Sequence, residues 1–248
     1  MIHTEKLQKQ FGDKVAVAGL DLAVEAGEFF CFLGPNGAGK TTTIKMLTGL
    51  LRPTAGRALI GGFDIQTQPL LAKGLTGYIP DHPFLYDRLT GREFLAFIAG
   101  LYRLPKARWQ PLAEELLEVF ELSAAADSLV HGYSHGMRQK LSFASTFLHE
   151  PKLVVVDEPW VGLDPKNIHR VKHFLRQRVD EGLTVFMSTH SLSLAEELAD
   201  RVGIIHQGEL LHVGRVSEIK ALAQEAEAHR ETGSLEQAFL QLTRDNEA

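Results

Sequence analysis

Residues 34 to 42, GPNGAGKTT, have the composition and spacing of a loop that binds phosphate groups. They are Gly34, Pro35, Asn36, Gly37, Ala38, Gly39, Lys40, Thr41 and Thr42. Glycine lets successive backbone N–H groups turn inward around an anion, and a helix that starts at Lys40 adds the positive end of its dipole. Lys40 has the reach to contact β- and γ-phosphates, and the Thr41 hydroxyl suits Mg²⁺, which takes few protein ligands. We predict nucleotide binding with Mg²⁺ here; a chance glycine-rich turn is the alternative.

A second pair of residues indicates hydrolysis. The apolar run 153–156 has the pattern of a buried parallel strand and is followed at once by Asp157 and Glu158. A carboxylate at a strand end can hold Mg²⁺ through water, which is the role predicted for Asp157. Glu158 is placed to orient and polarise an attacking water as a general base. Two solvated acids at a strand end are the alternative.

The elements around these residues predict an α/β fold. Apolar and polar residues alternate in segments 2–7 and 20–24, which is typical of antiparallel strands with one wet face. The continuously apolar run 29–33 predicts a buried central strand that leads into the phosphate loop. From about residue 84 to 150 the pattern becomes helical, with a capping box at Thr90 and Glu93 and a helix predicted over 111–122. Strand and helix alternation then resumes.

We therefore expect a P-loop NTPase fold with a mixed central sheet, an N-terminal antiparallel β part and an inserted α-helical subdomain. The expected domains are an ATPase domain over residues 1–215, which contains the insertion at about 84–150, and a short helical extension over 216–248.

Bulk composition excludes several classes of protein. The 248 residues are 44% hydrophobic and 23% charged, as in ordinary soluble proteins. A net charge of −5 gives no support for a nucleic-acid surface, so no nucleic-acid partner is expected. The lone Cys31 lies in the predicted buried strand, where it is expected to act as a small hydrophobe in a reducing compartment. We find no apolar window long enough to span a membrane and no apolar core of a signal peptide.

A third motif brings a resemblance to a known family. Residues 133–139 read YSHGMRQ, and their order relative to Phe11, Asp164 and His190 resembles the ATP-binding-cassette (ABC) ATPases over nearly the whole chain. The pattern Y-S-x-G-M-R-Q is similar to that of the exporter-like branch. Residues 234–243, SLEQAFLQLT, resemble the tail of that branch, although any amphipathic helix would give the same pattern.

The resemblance implies a role for each matching residue. Phe11 would stack on adenine, with a place in the core as its alternative, and Thr42 would touch the α-phosphate. His190 would bind the γ-phosphate and act in catalysis with Lys40 and Glu158, although a lone histidine is more often structural. ATP and Mg²⁺ are the implied ligands.

The same resemblance implies that the active site needs two chains. Ser134 and Gly136 would bind the γ-phosphate held by another ABC ATPase chain, in a head-to-tail homodimer or heterodimer that encloses two ATP molecules. Asp164 would cross that interface, and it is also a plausible helix N-cap. Both roles can coexist.

The sequence departs from the family pattern at several positions. Asp81 stands where the family has glutamine, so it either adds a metal ligand or repels the γ-phosphate; an ordinary loop acid is the alternative. His135 replaces a signature glycine, and Trp160 and Val161 replace small or polar residues. These changes put the rate and coupling of hydrolysis in doubt.

The leading hypothesis is the ATP-hydrolysing subunit of an ABC transporter, of the exporter type. It would be cytoplasmic and held at the inner face of the cell membrane by an integral membrane permease subunit, which contacts the helical insertion and the loop around Asp81. A soluble ABC ATPase of a non-transport machine is the first alternative. A nucleotide-gated regulatory module with little turnover is the second.

Overall fold

The computed structural model describes residues 1–160, 162–226 and 235. The expectations for Val161 and, apart from Leu235, for the segment 234–243 lie outside these residues. The strands are β1 (Ile2–Phe11), β2 (Lys14–Val24), β3 (Phe29–Leu33), β4 (Ala55–Ile60), β5 (Phe63–Asp64), β6 (Thr76–Ile79), β7 (Leu153–Asp157), β8 (Thr184–Thr189), β9 (Arg201–His206) and β10 (Glu209–Arg215). The helices are α1 (Lys40–Leu47), α2 (Pro69–Gly74), α3 (Gly91–Leu101), α4 (Lys106–Val119), α5 (His135–Phe147), α6 (Pro165–Asp180), α7 (Leu192–Leu198) and α8 (Val216–Ala226).

Two sheets organise the chain. The larger has six strands in the order β10-β9-β3-β8-β7-β6, in which only the β9–β10 pair is antiparallel. The smaller has the order β2-β1-β4-β5 and is antiparallel throughout. The predicted fold class, α/β with a mixed central sheet and an antiparallel N-terminal β part, is confirmed.

Strand β3 has a core on each of its faces. Its alternate residues Phe29, Cys31 and Leu33 pack into a cluster with the helices, and Phe30 and Phe32 pack into a cluster with the smaller sheet. All five are fully buried, because successive side chains of a strand point to opposite faces. Cys31 is thus a buried hydrophobe, as predicted, and its burial raises the pKa of the thiol.

The helical segment between β6 and β7 contains α3, α4 and α5. The capping box predicted at Thr90 and Glu93 is confirmed. The predicted start of the next helix at Pro111 is wrong, since α4 begins at Lys106 and contains Pro111. Pro105 is the extended N-cap residue, and Trp109 packs against the core, which holds the first turn in place.

Among the helices described, none has the length and apolar character needed to cross a membrane.

The topology gathers the predicted functional residues at one edge of the large sheet. Strands β3, β8, β7 and β6 are parallel neighbours, so their carboxyl ends meet at this edge. Gly34 follows β3, Asp157 ends β7, His190 follows β8, and Asp81 lies just beyond β6. Residues far apart in the sequence therefore come together where β3 passes into α1.

Candidate functional site

The loop between β3 and α1 has the shape needed to surround an anion. Gly39, the N-cap of α1, has a φ of 108°, and an added Cβ there would lie 2.5 Å from the carbonyl oxygen of Ala16. A Cβ on Gly34 would collide with the carbonyl oxygen of Ile205. Both positions thus require glycine. Gly39 needs it for its backbone conformation, and both need it because backbone carbonyl groups of the same chain approach closely. The loop leads directly into the N-terminus of α1, the end of a helix that favours phosphate binding.

Lys40, Glu158 and His190 form a connected group at this loop. The Lys40 side chain is 6% exposed, and its Nζ donates to the carbonyl oxygen of Gly34 at 2.7 Å. The same Nζ lies 3.5 Å from Oε1 of Glu158, and Nδ1 of His190 lies 2.8 Å from Oε2. Each carboxylate oxygen of Glu158 thus faces a different group predicted to bind the γ-phosphate: Oε1 faces Lys40, and Oε2 faces His190.

Asp157 lies beside this group and is 3% exposed. Its Oδ1 accepts from the Ser188 hydroxyl at 2.6 Å and from the Thr41 hydroxyl at 3.4 Å. Burial raises the pKa of Asp157, and the two hydrogen bonds oppose that shift. Thr41 and Asp157, both predicted at the metal, are therefore in contact.

A cleft of about 450 Å³ opens over the phosphate loop. Its walls contain Phe11, Lys14, Ala16, Asn36, Gly37, Gly39, Lys40, Thr41, Thr42, Asp81, His82, Asp157 and Glu158. Phe11 is half exposed and lies under the ammonium group of Lys9 at 5.0 Å from the ring centroid, so it is not the core aromatic of the alternative interpretation. The structure thus brings most of the predicted ATP-binding residues into one cavity.

Asp81 lies at the rim of this cleft. Its side chain is 54% exposed, and its Oδ2 lies 3.0 Å from Nδ1 of His82. It shares the cleft with Asp157 and raises the pKa of that residue. Asp81 therefore sits where it can act on a cation through its charge.

Ser134 and Gly136 do not line the cleft. Ser134 is exposed and is the N-cap of α5, with its Oγ accepting from the backbone N–H of Met137 at 3.3 Å. The ring of His135 lies directly against Gly162, so that a Cβ on this glycine would collide with the imidazole. Ser134 thus lies on an exposed surface outside the cleft, while His135 and Gly136 lie next to Gly162 in the loop before α6.

Asp164 begins α6. Its Oδ1 accepts from the backbone N–H of Asn167 at 2.8 Å, and its Oδ2 accepts from the side-chain amide of the same residue at 2.7 Å. These hydrogen bonds lower the pKa of the carboxyl group. The N-cap interpretation of Asp164 is confirmed.

Sequence reasoning missed four residues around the site: Lys14, Ala16, His82 and Ser188. Ser188 follows three apolar residues in β8, but a polar residue near a strand end does not by itself indicate its partner. The other three lie in segments without a recognisable motif.

Comparison with known proteins places this geometry in a family. A family model described as ABC transporter matches residues 17–161. The linearmycin resistance ATP-binding protein LnrL of Bacillus subtilis is 35% identical over 219 residues, which are 88% of this chain and 70% of that protein. The daunorubicin resistance ATP-binding protein DrrA3 of Streptomyces coeruleorubidus is 38% identical over 220 residues, or 89% of this chain and 70% of that protein.

A solved structure described as the ATP-binding subunit of an ABC transporter has the same fold. It superposes with a TM-score of 0.89 at 31% identity and covers 98% of this chain and 99% of its own. The chain belongs to the ABC transporter family, as one of its ATP-binding proteins. The resemblance seen in the sequence is confirmed.

Proposed function

We propose that this protein binds and hydrolyses ATP at the cleft over the phosphate loop. The observation that carries the proposal is the convergence of Lys40 and His190 on Glu158: the two groups for the γ-phosphate lie 3.5 Å and 2.8 Å from the carboxylate oxygens of the proposed base. Phe11 would hold adenine at the outer end of the cleft, and the phosphate-loop N–H groups would hold the phosphates.

The residues at the cleft also fit Mg²⁺. Thr41 offers a hydroxyl and Asp157 a carboxylate, both hard oxygen donors, and they already touch at 3.4 Å. Two protein ligands are enough for Mg²⁺, because this ion keeps several of its waters when it binds. When bound, Mg²⁺ would neutralise charge on the phosphate oxygens.

Hydrolysis would require these residues to exchange partners. In the arrangement seen, Glu158 accepts from His190 and pairs with Lys40. A γ-phosphate would draw Lys40 and His190 to itself, because it carries more negative charge than one carboxylate. Glu158 would then be free to orient the attacking water and accept its proton. The water oxygen would bond to the γ-phosphorus as the bond to the β-phosphate oxygen breaks in line, so that ADP leaves and phosphate is formed.

A second chain would complete each site. Ser134 is exposed, Gly136 is partly exposed, and neither lines the cleft of its own chain; both lie at the positive end of α5. We infer a head-to-tail sandwich in which this end meets the γ-phosphate held by the other chain. Closing and opening of the sandwich would drive an integral membrane partner, with this chain peripheral at the cytoplasmic face. The drug-resistance names of its relatives favour export as the direction of transport.

Replacement of the proposed base tests the chemistry. In Glu158→Gln, ATP binding should remain while hydrolysis falls by about 10²–10⁴-fold, because the amide keeps the shape of the side chain but cannot accept the proton. Phosphate release and the affinity for a fluorescent ATP analogue are the two measurements. Full turnover in this variant would refute the assignment of Glu158.

Co-purification in mild detergent tests the assembly. A polytopic membrane protein recovered in near-equal amount with the tagged chain would support the transporter. Recovery of soluble partners alone would favour a non-transport machine and leave the ATP chemistry standing.

A further inference from the structure

Ser188 occupies an unexpected position in the core. It lies in β8 after the apolar residues Val185, Phe186 and Met187 and is fully buried. Strands β7 and β8 are parallel, and their register places Ser188 directly beside Asp157. A hydroxyl at this depth needs a partner, because an unpaired polar group in the core destabilises the fold.

The partner is the carboxylate of Asp157. The Ser188 hydroxyl donates to Oδ1 at 2.6 Å, whereas the Thr41 hydroxyl reaches the same oxygen at 3.4 Å. Ser188 therefore makes the stronger of the two contacts, and a bond of this length to a carboxylate is of the charge-assisted kind. Both donors found in the described part of the chain use Oδ1, so Oδ2 keeps its full capacity to accept.

We propose that Ser188 is a positioning residue for the magnesium site: it fixes the rotation of the Asp157 carboxylate so that one oxygen is held in the protein and the other is kept for the water shell of the cation. This inference rests on the proposed ATP and Mg²⁺ site. It assigns this contribution to β8 rather than to the phosphate loop, since Thr41, the other donor to Oδ1, would itself bind the metal in the proposed site.

Nucleotide affinity then has two parts: the affinity without a metal and the gain in affinity when Mg²⁺ is added. Binding without a metal depends on the phosphate-loop N–H groups and Lys40, which Ser188 does not touch. The gain in affinity on adding Mg²⁺ depends on Asp157. Removal of the Ser188 hydroxyl should therefore reduce the gain and leave metal-free binding unchanged.

The test compares the dissociation constant of trinitrophenyl-ATP in excess EDTA and in excess Mg²⁺. Loss of a residue that orients a metal ligand typically costs 10–100-fold in metal affinity, so in Ser188→Ala the gain from Mg²⁺ should fall by about tenfold or more. Affinity in EDTA should stay within about twofold of the wild-type value, because the phosphate loop is intact. Ser188→Thr, which keeps the hydroxyl, should restore the gain.

Thr184 is a matched control in the same strand. It is fully buried at the other end of β8, where its hydroxyl accepts from the backbone N–H of Gly27 at 3.0 Å. Thr184→Ala should lower the melting temperature as Ser188→Ala does but leave the gain from Mg²⁺ unchanged. If Ser188→Ala does not fold, Ser188→Cys takes its place, since the thiol has similar volume and is a weaker donor.

The outcomes separate this inference from the proposed function. A wild-type chain that gains from Mg²⁺, beside a Ser188→Ala variant with the same gain, would overturn the inference alone. An equal loss in Thr184→Ala would also overturn it, because a general weakening of β8 would then explain the effect. A wild-type chain without any gain from Mg²⁺ would overturn the metal site, and this inference with it.

Discussion

The cleft over the phosphate loop and the surface at the start of α5 are built in opposite ways. In the cleft, Lys40 and Asp157 are almost completely buried, and each has a partner from another part of the chain: Glu158 for Lys40 and Ser188 for Asp157. At the start of α5, Ser134 is exposed, and its hydroxyl serves only its own helix among the contacts of the described residues. Under the proposed function, the cleft holds the nucleotide of its own chain, and the start of α5 presents a helix N-terminus to the nucleotide of the other chain.

Mixing two variants would test this division of roles and should give the largest effect. Lys40→Ala removes the cleft's cation, and Ser134→Asp puts a negative charge beside the expected phosphate while keeping a good N-cap. Each variant alone should have almost no ATPase activity. An equimolar mixture should recover roughly a quarter of the wild-type rate, because half of the randomly formed dimers are mixed and each of these has one intact site.

Phosphate release at high protein concentration is the measurement for the mixture. The matched control mixes Lys40→Ala with Glu158→Gln; both changes damage the cleft of their own chain, so no mixed dimer has an intact site. Recovery in that control, or none in the first mixture, would contradict the assignment of Ser134 to the site of the other chain.

A smaller effect, on the free energy of unfolding, is expected from a substitution where α5 meets the loop before α6. Gly162 has a φ of 80°, and a Cβ added to it would overlap Nδ1 of His135. Gly162→Ala should therefore destabilise the protein by about 1–3 kcal/mol, through backbone strain and steric overlap together. In a His135→Ala background only the strain should remain, about 1–2 kcal/mol.

Denaturant unfolding followed by circular dichroism measures both free energies of unfolding. The same cost of Gly162→Ala in both backgrounds would show that His135 does not hold this loop. Affinity of the cleft for trinitrophenyl-ATP should be unchanged in all three variants, since neither residue lines the cleft.

The two regions also differ in how well the sequence predicted them. The phosphate loop and the acids after β7 follow from residue types at fixed spacing, because backbone N–H groups and a strand end impose that spacing. Ser188 was missed because its importance comes from the register between β7 and β8, and no local pattern specifies which residues of two strands lie side by side. The start of α4 was misplaced because proline is favoured at a helix start, while packing of Trp109 extends the helix before Pro111.

At the start of α5 the motif YSHGMRQ predicted a helix N-terminus, which the structure has at Ser134. The contact of His135 with Gly162 had no signal in the sequence, because it depends on the path of the loop before α6. Motifs thus predicted which residues belong to each region, and tertiary packing decided what holds them in place.

The smallest expected effect concerns Asp81, at the rim of the cleft. Its carboxylate is more than half exposed and pairs with His82, so its interaction with a cation is weakened by water and salt. Exposed charge pairs contribute about 0.2–1 kcal/mol, so Asp81→Gln should raise the Mg²⁺ concentration for half-maximal turnover by up to about fivefold. Asp81→Glu, which keeps the charge, should leave it close to the wild-type value.

Titration of ATPase activity with Mg²⁺ at low and high salt measures this shift. If Asp81 acts through its charge, the difference between Asp81→Gln and the wild type should shrink as salt rises. A shift that persists at high salt would instead indicate direct coordination of the metal by Asp81. An unchanged Mg²⁺ requirement and unchanged turnover would leave Asp81 as an ordinary loop acid. Binding of Mg²⁺ in the cleft would then depend only on its buried groups.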